Sequence, residues 1–267
     1  MKRTVKVQVK DASIALAAEI VYGHRPAWGS LSYRPLTLSF MRRREGGTLP
    51  LIVWLCGGGF TEVDRNVWIP ELVWFAKRGY AVASVDYSTA YRSRFPQSVE
   101  DVKLAVRFLK ARAAEYGIDP ARVALMGESA GGYLAALCAL TPGEFDPGGD
   151  CKVQAAVPWY PPVRIAEMRA SIDKTTLPHD IAAYADITRY VTPEAPPFLI
   201  LHGSGDDLVP LSQGELLYDA LQQAGAAAEM VVIEGAGHGD IAFVQDEVKK
   251  IILDFLDAKL REKRPEF

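Results

Sequence analysis

The chain has 267 residues, of which 49% are hydrophobic and 24% are charged, as expected for a soluble globular protein with a sizeable core. A formal net charge of −3 argues against binding to nucleic acid or to an anionic membrane surface. Residues 1–10 alternate charged and apolar side chains without the apolar run of a signal peptide, and no stretch approaches the roughly 20 apolar residues that span a bilayer. We therefore expect a cytoplasmic protein without a membrane partner.

Short apolar runs alternate along the chain with longer amphipathic stretches. Alternating patterns at residues 5–9, 15–21 and 35–41 predict an antiparallel edge of a sheet. Nearly continuous apolar runs predict buried strands at residues 51–56, 80–85, 122–126, 198–201 and 229–233, and amphipathic stretches predict helices at 70–78, 98–116, 130–140, 212–224 and 240–259. This order predicts a single α/β domain over residues 1–267, with a mostly parallel sheet between two helical layers. Ligands of such sheets bind just beyond the carboxyl ends of the strands.

The most informative of these strand ends is the run Gly-Glu-Ser-Ala-Gly-Gly at residues 127–132. It follows one predicted strand directly and opens a predicted helix, which is the setting that a G-x-S-x-G nucleophile elbow requires. Side chains at the flanking glycines would collide with the neighbouring backbone, so the turn leaves Ser129 strained, with its hydroxyl exposed. The helix N-terminus behind it adds partial positive charge and free N–H groups. The context favours Ser129 as a catalytic nucleophile over a chance glycine pattern.

A serine nucleophile needs a base within hydrogen-bond reach. Of the four histidines, His238 lies between glycines in a loop after the last predicted strand, which suits an imidazole placed over the elbow. His202 ends a buried strand and is expected to make structural hydrogen bonds, and His24 is expected to be a surface or packing residue. His179 lies in the predicted insertion, where a plain surface role is favoured over a contact with substrate.

The third triad member should be an acid that falls between the serine and the histidine in chain order. The loop at residues 203–210 offers two adjacent carboxylates, Asp206 and Asp207. Adjacent side chains cannot both point at one imidazole, so the residues alone leave the choice between them open. The three cysteines are odd in number and lack metal-ligand spacing, and we expect reduced thiols.

Four motifs in this order resemble the esterase/lipase branch of the α/β-hydrolase family, which includes hormone-sensitive-lipase-like carboxylesterases and bacterial acetyl and feruloyl esterases. They are Cys-Gly-Gly-Gly-Phe at 56–60, the elbow at 127–132, His-Gly-Ser-Gly-Asp-Asp-Leu-Val-Pro at 202–210 and Gly-His-Gly at 237–239. The resemblance covers the chain from about Pro35 onward and implies an α/β-hydrolase fold. It also implies that Asp206, rather than Asp207, is the triad acid.

The same resemblance implies that the oxyanion is bound by backbone N–H groups of Gly58, Gly59 and Ala130, with the N–H of Phe60 as a substitute donor. This sequence departs from the family at Cys56, where a histidine is usual. Backbone donors do not depend on that side chain, but its loss removes a group that normally braces the loop.

These residues predict a serine carboxylesterase that forms an acyl-enzyme and that needs no metal or organic cofactor. A short cap at residues 160–196 would leave an open site for short acyl groups on a bulky alcohol, and an acetylated or feruloylated carbohydrate is the substrate that we expect. Phe60, Trp159 and Tyr160 are the predicted substrate contacts, although aromatic side chains equally often belong to the core.

Three alternative functions remain open at this point. They are an amidase, peptidase or aryl formamidase on the same fold, a non-catalytic ligand-binding protein, and a true lipase. The short cap disfavours the lipase, and the complete set of triad residues disfavours the binding protein.

Overall fold

A single eight-stranded sheet forms the centre of the computed structural model, which describes residues 1–27, 31–145, 148–165, 167 and 186–261. The spatial order of the strands is β1-β2-β4-β3-β5-β6-β7-β8. In chain order they are β1 (Ile14–Ala27), β2 (Ser32–Arg43), β3 (Leu49–Leu55), β4 (Ala81–Val85), β5 (Ile118–Glu128), β6 (Ala155–Trp159), β7 (Phe198–Gly203) and β8 (Ala228–Ile233). β2 pairs antiparallel with both β1 and β4, and all other neighbours are parallel.

Helices cover both faces of this sheet. They are α1 (Ile69–Lys77), α2 (Gln97–Ala111), α3 (Ala113–Tyr116), α4 (Ala130–Leu140), α5 (Leu211–Gln223) and α6 (Asp246–Leu260). Alternate side chains of β3 enter opposite layers of the core, with Val53 facing the layer of α2, α4 and α5 and Trp54 facing that of α1 and α6. Every residue of α4 is buried, so the helix that follows Ser129 is fixed in the interior. In the described ranges, no helix has the length and hydropathy needed to cross a membrane.

The predicted α/β sheet with helices on both faces is confirmed, and four local predictions change. Residues 5–9 are not a strand but an exposed segment, because an alternating pattern forms a strand only where a neighbouring strand supplies hydrogen bonds. The helix predicted at 98–116 breaks at Arg112 into α2 and α3, and the last helix begins at Asp246, after a 3₁₀ turn at Ile241–Val244. β6 was not predicted. Most of the predicted cap, including His179, lies outside the described residues, and the cap stays a prediction.

Candidate active site

Ser129 occupies the sharp turn between β5 and α4, with φ and ψ of 52° and −120°. Positive φ is uncommon for a residue with a side chain and stores local strain. A hydrogen bond of 3.0 Å from the Ser129 N–H to the carbonyl of Trp159 holds the turn against β6. At Gly131 a Cβ atom would lie only 2.6 Å from the carbonyl carbon of Leu55, so the close approach of α4 to β3 requires glycine. The local sequence therefore forms the predicted elbow.

The structure brings the three predicted triad residues together in one hydrogen-bonded chain. Ser129 Oγ lies 2.9 Å from His238 Nε2, and His238 Nδ1 lies 2.8 Å from Asp206 Oδ2. The carboxylate partner assigns the proton to Nδ1, which leaves Nε2 able to accept the serine proton. The Asp206 side chain is fully buried and that of His238 is 17% exposed, so the imidazole sits between a buried acid and the open side of the site.

The loop after β7 decides which of the two neighbouring aspartates reaches His238. Asp206 Oδ1 accepts hydrogen bonds from the N–H groups of Leu208 at 3.1 Å and Val209 at 2.8 Å, which turns Oδ2 toward the imidazole. Asp207 is exposed.

His202 stabilises this loop. Its buried ring lies 2.8 Å from the carbonyl oxygen of Val209, through Nε2. Burial lowers the pKa of His202, which favours the neutral ring beside Asp206. His202 thus has the structural role expected for it.

His24 is exposed on β1, which agrees with the expected surface role.

Tyr160 packs against the His238 imidazole. The two ring centroids are 4.7 Å apart with an interplanar angle of 64°, and Phe243 packs on Tyr160 at 4.6 Å. Tyr160 is fully buried. His238 is therefore held by a hydrogen bond at Nδ1 and by aromatic packing on its ring.

The loop after β3 presents two glycines in left-handed conformations, Gly58 with φ of 130° and Gly59 with φ of 59°, and both are exposed. The third predicted donor, Ala130, is the first residue of α4, where N–H groups have no partner within the helix. Phe60 also has positive φ, but its side chain is buried.

Two side chains brace this loop in spite of the cysteine at position 56. The hydroxyl of Tyr87 donates to the carbonyl of Cys56 at 2.6 Å, and the N–H of Gly57 donates to a carboxylate oxygen of Glu128. The Cys56 sulfur lies 3.8 Å from the same oxygen. Burial raises the pKa of the Cys56 thiol to about 12, so the cysteine is protonated at neutral pH. The loop is anchored to β5 by Glu128.

The three predicted substrate contacts are all buried. Phe60 packs edge-on against Tyr133 at 5.4 Å, and Trp159 packs against Trp54 at 5.1 Å. Tyr160 contacts His238, as described above. The burial of these rings agrees with the alternative of a core role, and contact with substrate stays a prediction.

Sequence reasoning did not find Glu128 or Tyr87. An acidic residue at the end of a buried strand is itself a signal, because a buried carboxylate needs hydrogen-bond donors around it. The identity of those donors depends on a contact between residues 71 positions apart in the chain.

A family model described as BD-FAE matches residues 39–221, which include β3, the elbow and most of α5. The chain belongs to the BD-FAE family of α/β-hydrolase esterases. The match begins in β2, in agreement with the sequence resemblance from about Pro35 onward, so the predicted family and fold class are confirmed.

A relative of this BD-FAE chain is the probable carboxylic ester hydrolase LipM of Mycobacterium tuberculosis. It is 34% identical in an alignment of 222 positions, and the match covers 73% of this chain and 52% of LipM. The chain thus spans about half the length of these curated relatives that it matches, LipM and the esterase LipQ of the same organism.

Two solved structures share the fold. A truncated carbohydrate esterase from gut microbiota superposes with a TM-score of 0.78 at 22% identity and covers 94% of this chain and 98% of its own. The thermophilic esterase Est2 of Thermogutta terrifontis, with propionate bound, has a TM-score of 0.75 at 25% identity and covers 95% and 97%.

Proposed function

We propose that this protein is a serine carboxylesterase that hydrolyses short-acyl esters through an acyl-enzyme. The observation that carries the proposal is the continuous hydrogen-bonded chain from Ser129 through His238 to Asp206, with the serine on a strained elbow. Membership of the BD-FAE family and the similarity to LipM support the same reaction class.

The geometry supports the following sequence of steps. His238 Nε2 takes the hydroxyl proton as Ser129 Oγ attacks the ester carbonyl, and Asp206 stabilises the imidazolium that forms. The N–H groups of Gly58, Gly59 and Ala130 bind the oxyanion of the tetrahedral intermediate. His238 then protonates the departing alcohol, and a water molecule, activated by the same base, hydrolyses the acyl-enzyme.

Substitution of the nucleophile tests this mechanism. Ser129→Ala should lower kcat on p-nitrophenyl acetate by about 10⁴-fold or more, and an organophosphate such as paraoxon should label the native protein at Ser129 but not the variant. Ser32→Ala, at an exposed serine on β2, is the matched control and should retain full activity. A folded Ser129→Ala protein with native turnover would overturn the proposal, and faster hydrolysis of a matched amide than of the ester would replace it with an amidase.

For the substrate, we propose an ester whose alcohol part is a carbohydrate, with an acetyl or feruloyl acyl group. The esterase Est2, solved with propionate bound, supports a short acyl group. A cavity of about 670 Å³ borders the oxyanion loop at Gly57 and Gly58. Its polar lining is an argument for a polar alcohol part in the substrate.

The lining of this cavity suits a neutral, hydroxylated ligand. Groups of both signs and several hydroxyls lie around it, namely Arg34, Arg92, Glu62, Asp64, Asp86, Thr61 and Thr89. Lining of mixed charge does not favour an anion or a lipid chain, whereas sugar hydroxyls can pair with donors and acceptors alike. The ring of Tyr91 at the same cavity is 78% exposed and offers a face on which a sugar ring can stack.

A substrate series tests the carbohydrate proposal. Acetylated xylo- and manno-oligosaccharides and a feruloyl ester would be compared with p-nitrophenyl esters from acetate to octanoate. Tyr91→Ala and Arg92→Ala should raise KM for the acetylated oligosaccharides at least fivefold and leave p-nitrophenyl acetate unchanged. Tyr33→Ala, which removes a similarly exposed tyrosine from β2, is the control. Equal effects on both substrate types would contradict a carbohydrate alcohol, and a preference for octanoate would contradict a short acyl group.

A further inference from the structure

Glu128 is a buried carboxylate that the proposed reaction does not use. It is the last residue of β5, directly before Ser129, and is 9% exposed. One of its oxygens accepts the N–H of Gly57. A Cβ atom at Gly57 would lie 2.5 Å from both carboxylate oxygens, so the carboxylate takes the space in which any other residue would carry a side chain.

The groups that face this carboxylate come from four parts of the fold. Cys56 and Gly57 approach from the end of β3, Trp68 from the turn before α1, Tyr160 from the end of β6 and His238 from the loop after β8. Among the described residues, no lysine or arginine pairs with Glu128. Burial raises the pKa of Glu128, against the opposing effects of the Gly57 N–H and His238. A buried carboxylate lowers the stability of the folded protein, and groups with such a cost are concentrated at functional sites. Glu128 is therefore a candidate for a functional role.

Glu128 connects the two parts of the site that must be aligned during the reaction. Its backbone continues into the nucleophile, and its side chain binds the residue that precedes the donors Gly58 and Gly59. Tyr87 holds the carbonyl of Cys56 at the start of the same loop. A shift of the loop relative to β5 would move the donors away from the carbonyl oxygen attacked by Ser129, and the Glu128–Gly57 hydrogen bond opposes that shift.

We propose that Glu128 is a positioning residue that holds the oxyanion loop in register with Ser129, and that it does so in its ionised form. This inference rests on the proposed esterase function. A hydrogen bond to a carboxylate is roughly twice as strong as one to a neutral acceptor, so protonation of Glu128 loosens the loop. Three titratable groups face Glu128, namely Cys56, Tyr160 and His238. None of them carries a negative charge at neutral pH, so none can take over the role of the carboxylate. Activity at acid pH therefore depends on two protons, one on His238 and one on Glu128.

Two variants separate the charge of Glu128 from its reach. Glu128→Gln keeps the shape and an acceptor oxygen but removes the charge. Glu128→Asp keeps the charge but withdraws it by one bond, about 1.5 Å. Glu45→Gln, at an exposed glutamate between β2 and β3, is the matched control. Initial rates on p-nitrophenyl acetate would be measured from pH 5 to pH 8.5, with circular dichroism at each pH to confirm folding.

Glu128→Asp should lower kcat by about tenfold to a hundredfold with KM within threefold, less than the ~10²–10³ that loss of a whole oxyanion donor costs. The acid limb of log kcat/KM should steepen beyond a slope of one in the native enzyme and stay at one in Glu128→Gln. Native kcat for Glu128→Asp, or equal limbs for the native enzyme and Glu128→Gln, would overturn the proposal. If Glu128→Asp does not fold, the comparison of limbs decides. An inactive native enzyme would instead refute the esterase function itself.

Discussion

Asp206 and Asp207 are adjacent, yet the fold gives them different environments. The two N–H groups that bind Asp206 Oδ1 fix its carboxylate beneath His238, while Asp207 faces solvent. From the order of the motifs, the sequence left these two residues as candidates for the triad acid. Only the family resemblance favoured Asp206 over Asp207. The reason is physical, because the direction of each side chain depends on the backbone of the loop and not on the type of residue.

Asparagine substitutions test this difference at the residue scale. Asp206→Asn should lower kcat/KM on p-nitrophenyl acetate by about 10⁴, because an amide no longer holds the imidazole in the tautomer that accepts the serine proton. Asp207→Asn, the matched control, should stay within tenfold of the native enzyme. The opposite ranking would show that Asp207 is the acid.

Cys56→Ala asks whether the unusual residue of the oxyanion loop has a chemical role. Burial keeps the thiol protonated, with a pKa raised to about 12, and the loop is held by Tyr87 and by Glu128 instead. We therefore expect kcat to change by less than tenfold. Loss of activity as complete as that of Ser129→Ala, in a folded protein, would mean that the cysteine takes part in the reaction.

At the scale of whole elements, the sequence predicted those strands and helices that continuous apolar runs mark. Apart from β6, the strands of the parallel sheet and helix α4 were located to within a few residues, because burial on both faces leaves a pattern that needs no long-range information. β6 escaped because its residues, Ala155–Trp159, are mostly small and include Pro158, which normally argues against a central strand. The break at Arg112 has no glycine or proline to mark it. The Glu128–Gly57 contact could not be read from local pattern.

Gly131→Ala tests the packing of α4 against β3 at the elbow. The new methyl group would collide with backbone atoms of Leu55, which cannot rotate away as a flexible side chain could. We expect the free energy of unfolding to fall by about 1–3 kcal/mol or more, measured by urea denaturation, together with loss of esterase activity. Gly143→Ala, at an exposed turn where no atom lies within 4 Å of a Cβ, should leave stability near native. Native stability in Gly131→Ala would mean that α4 can move away from β3.

At the scale of the whole molecule, the site concentrates features that cost stability. Ser129 and Tyr160 both have positive φ, and Glu128 is buried without a described cationic partner. The cores on the two faces of the sheet offset these costs, since the strands and helices that carry the three residues are fixed by packing on both sides. Strain of this kind is tolerated where function requires a fixed geometry.

This trade between stability and activity gives a prediction for the global stability of Glu128→Gln. Because the folded-state pKa of Glu128 lies above its value of about 4.5 in the unfolded chain, the folded protein binds the proton more tightly, and ionisation of Glu128 destabilises the fold. The variant should therefore have a higher Tm than the native protein at pH 7.5, by about 2–4 °C for each kcal/mol. The difference should shrink as the pH falls through the raised pKa and level off only below about pH 4.5, where the folded and the unfolded states are both protonated. Calorimetry at pH 7.5, 6 and 5 would measure it, with the exposed-site variant Glu45→Gln unchanged throughout. A lower Tm for Glu128→Gln at pH 7.5 would mean that its hydrogen bond from Gly57 outweighs the cost of burying the charge.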